Sequence, residues 1–304
     1  MLKKGDMAVN YKKWLLKNTQ NLTGKTVAIT GSTGGIGVWL CKHLASIGAN
    51  LILLNRSKTK TDKQIAELKN QYPNLKVSFL QLDLSDIKSV KDVVDVLKTD
   101  CPDVLIHNAG AYSIPRFITN AGFDNVFMIN FLSPYYMTKQ LLPYLAQKNG
   151  RVVAVGSVAH NYSKTNPDNI DFRDIKAASK VYGNAKRYLM LSFYKLLENE
   201  KGVKLSVTHP GITFTNITAH YPKLIFAVIK HPMKIIFMPP KMAALSILKG
   251  VFDDTGFGYW YGPRIFNVWG LPSKKRLKTF TSEEAEIVFS TAENCYDKVL
   301  RFLS

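Results

Sequence analysis

The sequence predicts an α/β protein built on a doubly wound, parallel sheet. Three observations carry that reading. Short, almost wholly apolar runs recur along the chain, helical patterns alternate with them, and a glycine cluster follows the first run directly. Strands that are apolar on both faces belong to a sheet covered on both sides, and alternation with helices makes such a sheet parallel.

In chain order the predicted strands are Lys25 to Thr30, Asn50 to Leu54, Lys76 to Leu80, Val104 to His107, Arg151 to Val155 and Lys204 to His209. Between them the spacing predicts helices over Val38 to Gly48, Thr61 to Gln71, Ile87 to Lys98, about Gly122 to Leu145, and Ser179 to Glu198. A basic amphipathic segment, 1–21, precedes this body, with Tyr11, Trp14 and Leu15 at helical spacing. It reads either as a helix docked on the body or as an interfacial anchor. Residues 22–304 form one domain, with an apolar insertion near 212–240 and a helical tail over 282–302.

The 304 residues are 21% charged and 46% hydrophobic, values of a globular chain. No uninterrupted apolar run reaches the roughly 18 residues that a membrane span needs. The N-terminus lacks the apolar core and cleavage site of a secretory signal. Cys41, Cys101 and Cys295 are scattered and odd in number, which fits thiols in a reducing, cytoplasmic compartment rather than a disulfide framework or a metal site. The net charge is +19, from 41 Lys and Arg against 22 Asp and Glu, with one tight cluster at Lys274, Lys275, Arg276 and Lys278. Such an excess favours anionic partners. No nucleic-acid-binding motif accompanies it, so an acidic membrane surface ranks above nucleic acid, beside a plain solvated basic surface.

The glycine cluster runs Thr30-Gly31-Ser32-Thr33-Gly34-Gly35-Ile36-Gly37, between the first strand and the first helix of the body. Gly31 permits a tight turn, Gly35 lets the backbone approach a pyrophosphate, and Gly37 allows close helix packing. The helix N-terminus adds free N–H groups and a positive dipole end for phosphates. This is a dinucleotide-binding turn, the mark of a Rossmann fold.

The pattern T-G-x-x-x-G-x-G resembles that of the short-chain dehydrogenase/reductase family, and further motifs match in family order. They are Asn108-Ala109-Gly110 after the fourth strand, Asn130 in the following helix, Ser157 after the fifth strand, Tyr182 and Lys186 in a Y-x-x-x-K, and Pro210-Gly211-Ile212-Thr213-Phe214-Thr215 after the sixth. The likeness spans residue 22 to about 216. The wide spacing from Ser157 to Tyr182, with a loop over Asn161 to Lys176, resembles the branch that includes retinol dehydrogenases.

Chemistry agrees with the resemblance. An alcohol gives up hydride only as its proton leaves, so a base is needed near the hydroxyl. Positions four apart share a helix face, so Tyr182 and Lys186 project together. A nearby ammonium favours the phenolate and should lower the tyrosine pKa. Tyr182 is therefore the expected acid/base and Lys186 its electrostatic partner. The resemblance implies that Lys186 also holds the nicotinamide ribose, that Ser157 binds the substrate oxygen, and that Asn130 holds a proton-relaying water. His160 is a further loop residue, read either as a substrate contact or, better, as a structural hydrogen-bonding group.

An NAD site normally carries an acid after the second strand. Here that place reads Asn55-Arg56-Ser57-Lys58. Arg56, helped by Lys58, suits a 2′-phosphate, so NADP(H) is the expected cofactor. Ser32 or Thr33 could add a hydroxyl, and Asp83 matches the family residue beside adenine. Together with Gly31, Gly35, Ile36, Gly37, Asn108, Ala109, Gly110, Tyr182, Lys186, Pro210, Gly211, Ile212 and Thr215, these form the expected cofactor site.

Residues 217–240 crowd apolar side chains between Lys223, Lys230 and Lys234, and two prolines break them up. The segment reads as a lid over an apolar pocket, a contact between subunits, or a peripheral membrane contact. Each makes a lipophilic alcohol or carbonyl substrate the expectation. Two rival functions stand beside this one: a non-catalytic NADP(H)-binding regulator, and a sugar-nucleotide epimerase or dehydratase sharing the Tyr and Lys.

Overall fold

The computed structural model describes residues 4–198, 200–213 and 237–304, with side chains from Tyr11 onward. Its centre is an eight-stranded sheet in the order β3-β2-β1-β4-β5-β6-β7-β8. The strands are β1 (Thr26–Thr30), β2 (Asn50–Asn55), β3 (Val77–Gln81), β4 (Val104–His107), β5 (Arg151–Val155), β6 (Lys204–Thr208), β7 (Tyr259–Ile265) and β8 (Trp269–Arg276). The first seven are parallel. The strand order reverses between β1 and β4, which opens a crevice at their carboxyl ends.

Side chains alternate across the sheet, as a period of two requires. In β1 and β2, Ala28, Ile52 and Leu54 enter one apolar layer, while Val27, Ile29, Leu51 and Leu53 enter the other. The first layer lies under α4 (Ile87–Thr99), α5 (Asn125–Phe127), α6 (Ser133–Gln147), α7 (Ala178–Glu198) and α9 (Ser282–Leu303). The second lies under α2 (Gly35–Ser46), α3 (Lys58–Gln71) and α8 (Pro240–Phe252). The leading helix α1 (Lys4–Asn18) joins that second layer through buried Tyr11 and Trp14. The Tyr11 hydroxyl meets the His43 ring at 3.1 Å, so the docked alternative is the one found. The three cysteines are free and buried.

Helix starts follow local chemistry. Ser57 and Asp86 accept backbone N–H groups at the heads of α3 and α4, and Thr281 does so for α9. The helix expected over 122–145 is not one regular element. It opens with Asn125–Phe127, widens into a π turn over Met128–Leu132, and resumes as α6. Single π turns collect at functional sites.

The sheet is parallel as expected except at one edge, where β8 returns antiparallel along β7. Both strands and helix α8 escape a reading by pattern. Gly262 and Pro263 interrupt β7, while Gly270, Pro272 and three cations dilute β8. The turn joining them places Phe266 and Asn267 at φ 48° and 59°. Asparagine tolerates that region, but phenylalanine there is rare, so the hairpin lacks its usual signal. On β8, the outer strand, Lys274 and Arg276 are exposed. Among the described residues, no helix is long and apolar enough to cross a membrane.

Candidate active site

The glycine turn is built by close approach. Gly31 sits at φ +68°, and a Cβ there would lie 2.8 Å from the Ala109 Cα. A Cβ on Gly37 would lie 2.4 Å from the Gly31 carbonyl oxygen. The turn therefore packs backbone against backbone, on the Asn108-Ala109-Gly110 turn and on the first turn of α2. Asn108 donates to the Thr30 and Gly31 carbonyls at 3.0 Å each, and the Ala109 N–H reaches Thr30 Oγ1 at 3.0 Å. Gly34 caps α2 without a side-chain hydrogen bond. The helix thus keeps its first N–H groups for an anion. A pyrophosphate fits this cradle, with Gly35 exposed at its lip and Thr33 and Ile36 half-buried beside it.

The Ser32 side chain is fully buried. Its hydroxyl accepts from Asn55 Nδ2 at 2.7 Å and donates to Gln64 Oε1 at 2.9 Å, while Gln64 returns a bond to the Ser32 carbonyl. The side chain fastens the turn to β2 and α3 and cannot serve a phosphate. Arg56 stands exposed just beyond β2, with no ion pair among the described residues. Lys58 instead lies 2.7 Å from Asp62. Asp83 accepts from the Ser85 N–H at 2.9 Å and the Ser85 hydroxyl at 2.6 Å, so it shapes its own turn.

Ser157, Tyr182 and Lys186 line one cleft of about 390 Å³, which also meets Asn108, Gly110 and Ile36 on the glycine-turn side. Pro210, Gly211 and Ile212 form another wall, and Tyr112, Val158, Tyr162 and Phe237 make it apolar. Gly211, at φ +86°, leaves no room for a Cβ beneath Pro263 and the Val268 carbonyl. Thr215 and most of 217–240 lie outside the described residues. A second hollow, about 580 Å³, opens at the amino end of the sheet by Gly24 and Gly48. It holds none of the expected site residues.

Lys186 is buried, and its Nζ donates to the Val155 carbonyl at 2.9 Å and lies 5.8 Å from the Tyr182 ring centre. Burial pushes its pKa down to about 7. Burial also pushes Tyr182 up to about 12; a hydrogen bond with Ser157 opposes this, and neighbouring Tyr112 reinforces it. Removing the phenolate from water outweighs the Ser157 hydrogen bond, and Lys186 is not among the groups that shift the tyrosine, so the lowering expected from the lysine does not appear here. Asn130, in the π turn, is fully buried and pairs with both the N–H and the carbonyl of Ala111, and with the Val126 carbonyl. A Cβ on Gly110 would lie 3.0 Å from Asn130 Oδ1 and 3.6 Å from Lys186 Nζ, so the two side chains flank one point.

His160 is a structural group. It is buried, its Nδ1 lies 2.6 Å from the Ser157 carbonyl, and its ring packs on Trp260 and Phe280. Burial holds its pKa down to about 4, so it stays neutral at physiological pH. The loop between Ser157 and Tyr182 is anchored by charge. Arg116 binds Asp124 at 2.8 Å and the Phe172 carbonyl at 2.9 Å, while buried Asp171 accepts the Asp124 N–H and pairs with Arg173. Tyr112 and Tyr162 were not foreseen as cleft residues, though the position of Tyr112, two after Gly110, hinted at it; Phe237 belongs to the segment read as a possible lid over an apolar pocket.

The family model described as short chain dehydrogenase matches residues 25–223, more than half of the chain. The chain belongs to the short-chain dehydrogenase/reductase family. It is an oxidoreductase of that family. Its relatives include an uncharacterized oxidoreductase of Schizosaccharomyces pombe, 29% identical over 258 residues, covering 79% of this chain and 76% of that protein. Human polyprenol dehydrogenase is 31% identical over 207 residues, 64% of this chain and 63% of that protein. Human retinol dehydrogenase 13 is 29% identical over 205 residues, 66% and 62% respectively. This agrees with a place in the retinol dehydrogenase-like branch, although the chain spans less than two thirds of these two human proteins. Among solved structures, an uncharacterized protein from Mycobacterium paratuberculosis aligns with TM-score 0.72 over 92% of this chain and 96% of that one, at 24% identity, a likeness of fold. A short-chain dehydrogenase from Sphingobium yanoikuyae in complex with NADPH aligns with TM-score 0.53 at 26% identity, over 64% of this chain and 74% of that one.

Proposed function

We propose that the chain interconverts a carbonyl and an alcohol on a lipophilic substrate with NADP(H), using Tyr182 as acid/base. The observation that carries the reading is the meeting of Ser157, Tyr182 and Lys186 in one apolar-walled cleft that opens onto the glycine turn. A nicotinamide cofactor, when bound, supplies or takes the hydride. The cradle of Gly31, Gly35 and Gly37 would hold its pyrophosphate, and Lys186 its ribose. The Ser157 and Tyr182 hydroxyls would grip the substrate oxygen as charge builds there. A phenol raised to about 12 is protonated at neutral pH and so holds a proton to donate to a carbonyl oxygen. As the proton leaves, Lys186 in its protonated form would stabilise the phenolate that forms, and Asn130 would hold a proton-relaying water.

Exposed Arg56, with no carboxylate beside it at the end of β2, favours a 2′-phosphate and hence NADPH. The NADPH held by the Sphingobium relative supports the same choice. The apolar wall of Tyr112, Val158, Tyr162 and Phe237, and the names of the two human dehydrogenases, support a lipophilic substrate. The test is NADPH oxidation with a panel of aldehydes and ketones of increasing chain length. Turnover should rise with apolar size. Tight NADPH binding without turnover across the panel would favour the non-catalytic regulator instead.

A further inference from the structure

Gly183 and Arg187, the residues immediately after Tyr182 and Lys186 on α7, both fasten the turn that carries Ser157. A Cβ on Gly183 would fall 2.3 Å from the Ala159 carbonyl oxygen, so the helix and the Ser157 turn touch backbone to backbone. One helical turn further on, Arg187 is buried and donates to the His160 carbonyl at 3.2 Å. His160 in turn makes two contacts with the Ser157 carbonyl, through its N–H at 3.1 Å and its Nδ1 at 2.6 Å. A carbonyl only accepts, so Nδ1 carries the proton.

The far side of Arg187 is held by the C-terminal segment. Its fork meets both oxygens of Glu284 in the first turn of α9, and Nη2 donates to the Thr279 carbonyl at 2.8 Å. The guanidinium lies 4.9 Å from the Phe280 ring centre, and the imidazole of His160 packs edge-on against the same ring, 4.9 Å away. Glu284 also accepts from Thr165, and Thr279 Oγ1 donates to Asn161, both in the loop after Ser157. One buried cation therefore joins the helix of Tyr182, the turn of Ser157 and the start of the last helix.

We propose that Arg187 is a positioning residue: with Glu284 and Phe280 it sets the Ser157 hydroxyl against that of Tyr182, making residues 279–284 an outer brace of the active site. The inference rests on the function proposed above. Misplacing a reacting group by about 1 Å can cost about a hundredfold in rate. The loss should therefore appear in kcat and leave the glycine turn untouched. Arg187 touches neither the cleft nor the cofactor cradle, so NADPH affinity is the internal control.

The experiment compares wild type with Arg187→Met, Arg187→Lys and Glu284→Gln, at a temperature where thermal melts show each folded. The readouts are kcat, substrate KM, NADPH Kd by fluorescence quenching, and Tm. Arg187→Met should lower kcat about ten- to a hundredfold with NADPH Kd nearly unchanged. Arg187→Lys, which keeps the charge but loses the fork, should recover only part of it. The Arg187→Met, Glu284→Gln double variant should be little worse than the worse single one, since both act through one contact. If Arg187→Met does not fold, Phe280→Leu tests the same brace from its apolar side and should also lower kcat. A fall in Tm with unchanged kcat per folded molecule overturns the proposal. Absence of turnover in the wild type would instead refute the functional reading.

Discussion

The two sides of the crevice are held by different forces. On the cofactor side, the glycine turn is fixed by backbone approach and neutral hydrogen bonds, from Asn108, Asn55, Gln64 and the buried Ser32. On the substrate side, the loop after Ser157 is fixed by charge, through Arg116 with Asp124, Arg173 with Asp171 and Arg187 with Glu284. A neutral network leaves the pyrophosphate cradle free of competing charge. Buried ion pairs have the opposite character: breaking one partner strands the other, so they impose a geometry more than they add stability. The cofactor side is thus a neutral cradle, whereas the substrate side is held by ion pairs.

If the two sides are separable, Tyr182→Phe should divide them most sharply. Turnover should drop about 10²–10⁴-fold, the usual worth of a placed acid or base. NADPH binding should persist, because the phenol adds little affinity. Steady-state kinetics beside a binding titration decide the matter, and wild-type-like turnover would break the assignment. Arg56→Ala addresses the other side. A lost hydrogen bond to a charged phosphate, roughly 1.5–3 kcal/mol, predicts a ten- to hundredfold fall in kcat/KM with NADPH and little change with NADH. A wild type that prefers NADH would remove the basis of that prediction.

The smallest effect is one on stability, and it concerns Lys186, which belongs to both sides. Its pKa falls from 10.5 to about 7 on folding, so between those values the unfolded chain binds more protons than the native one. Stability contributed through this group therefore rises with pH across that window, and the burial penalty is full below about 7. Lys186→Met should be inactive yet more stable than wild type near neutrality, with the gap in denaturation midpoint closing as the pH approaches 10. A gap independent of pH would show that the lysine does not titrate there.

Sequence reading succeeded where structure is local. Six strands, the glycine turn and the Tyr182 and Lys186 spacing are all set by neighbours within a few residues. It failed where distant groups decide. Ser32 looks like any turn serine until Asn55 and Gln64 draw it inward. The π turn around Asn130 has the composition of an ordinary helix. The direction of the Tyr182 shift depends on burial, which spacing does not reveal. Strand β7 meets β6 through a single described register pair, Thr208 with Tyr261, and owes its place to the hairpin with β8.

That hairpin gives the basic cluster a use unrelated to any ligand. A sheet ends in a row of unpaired backbone groups, open to a strand from another molecule. Here the last strand offers Pro272, which has no N–H to give, and exposed Lys274 and Arg276, whose like charges would confront those of a second copy. Like charge on this strand disfavours its pairing with the same strand of a second copy.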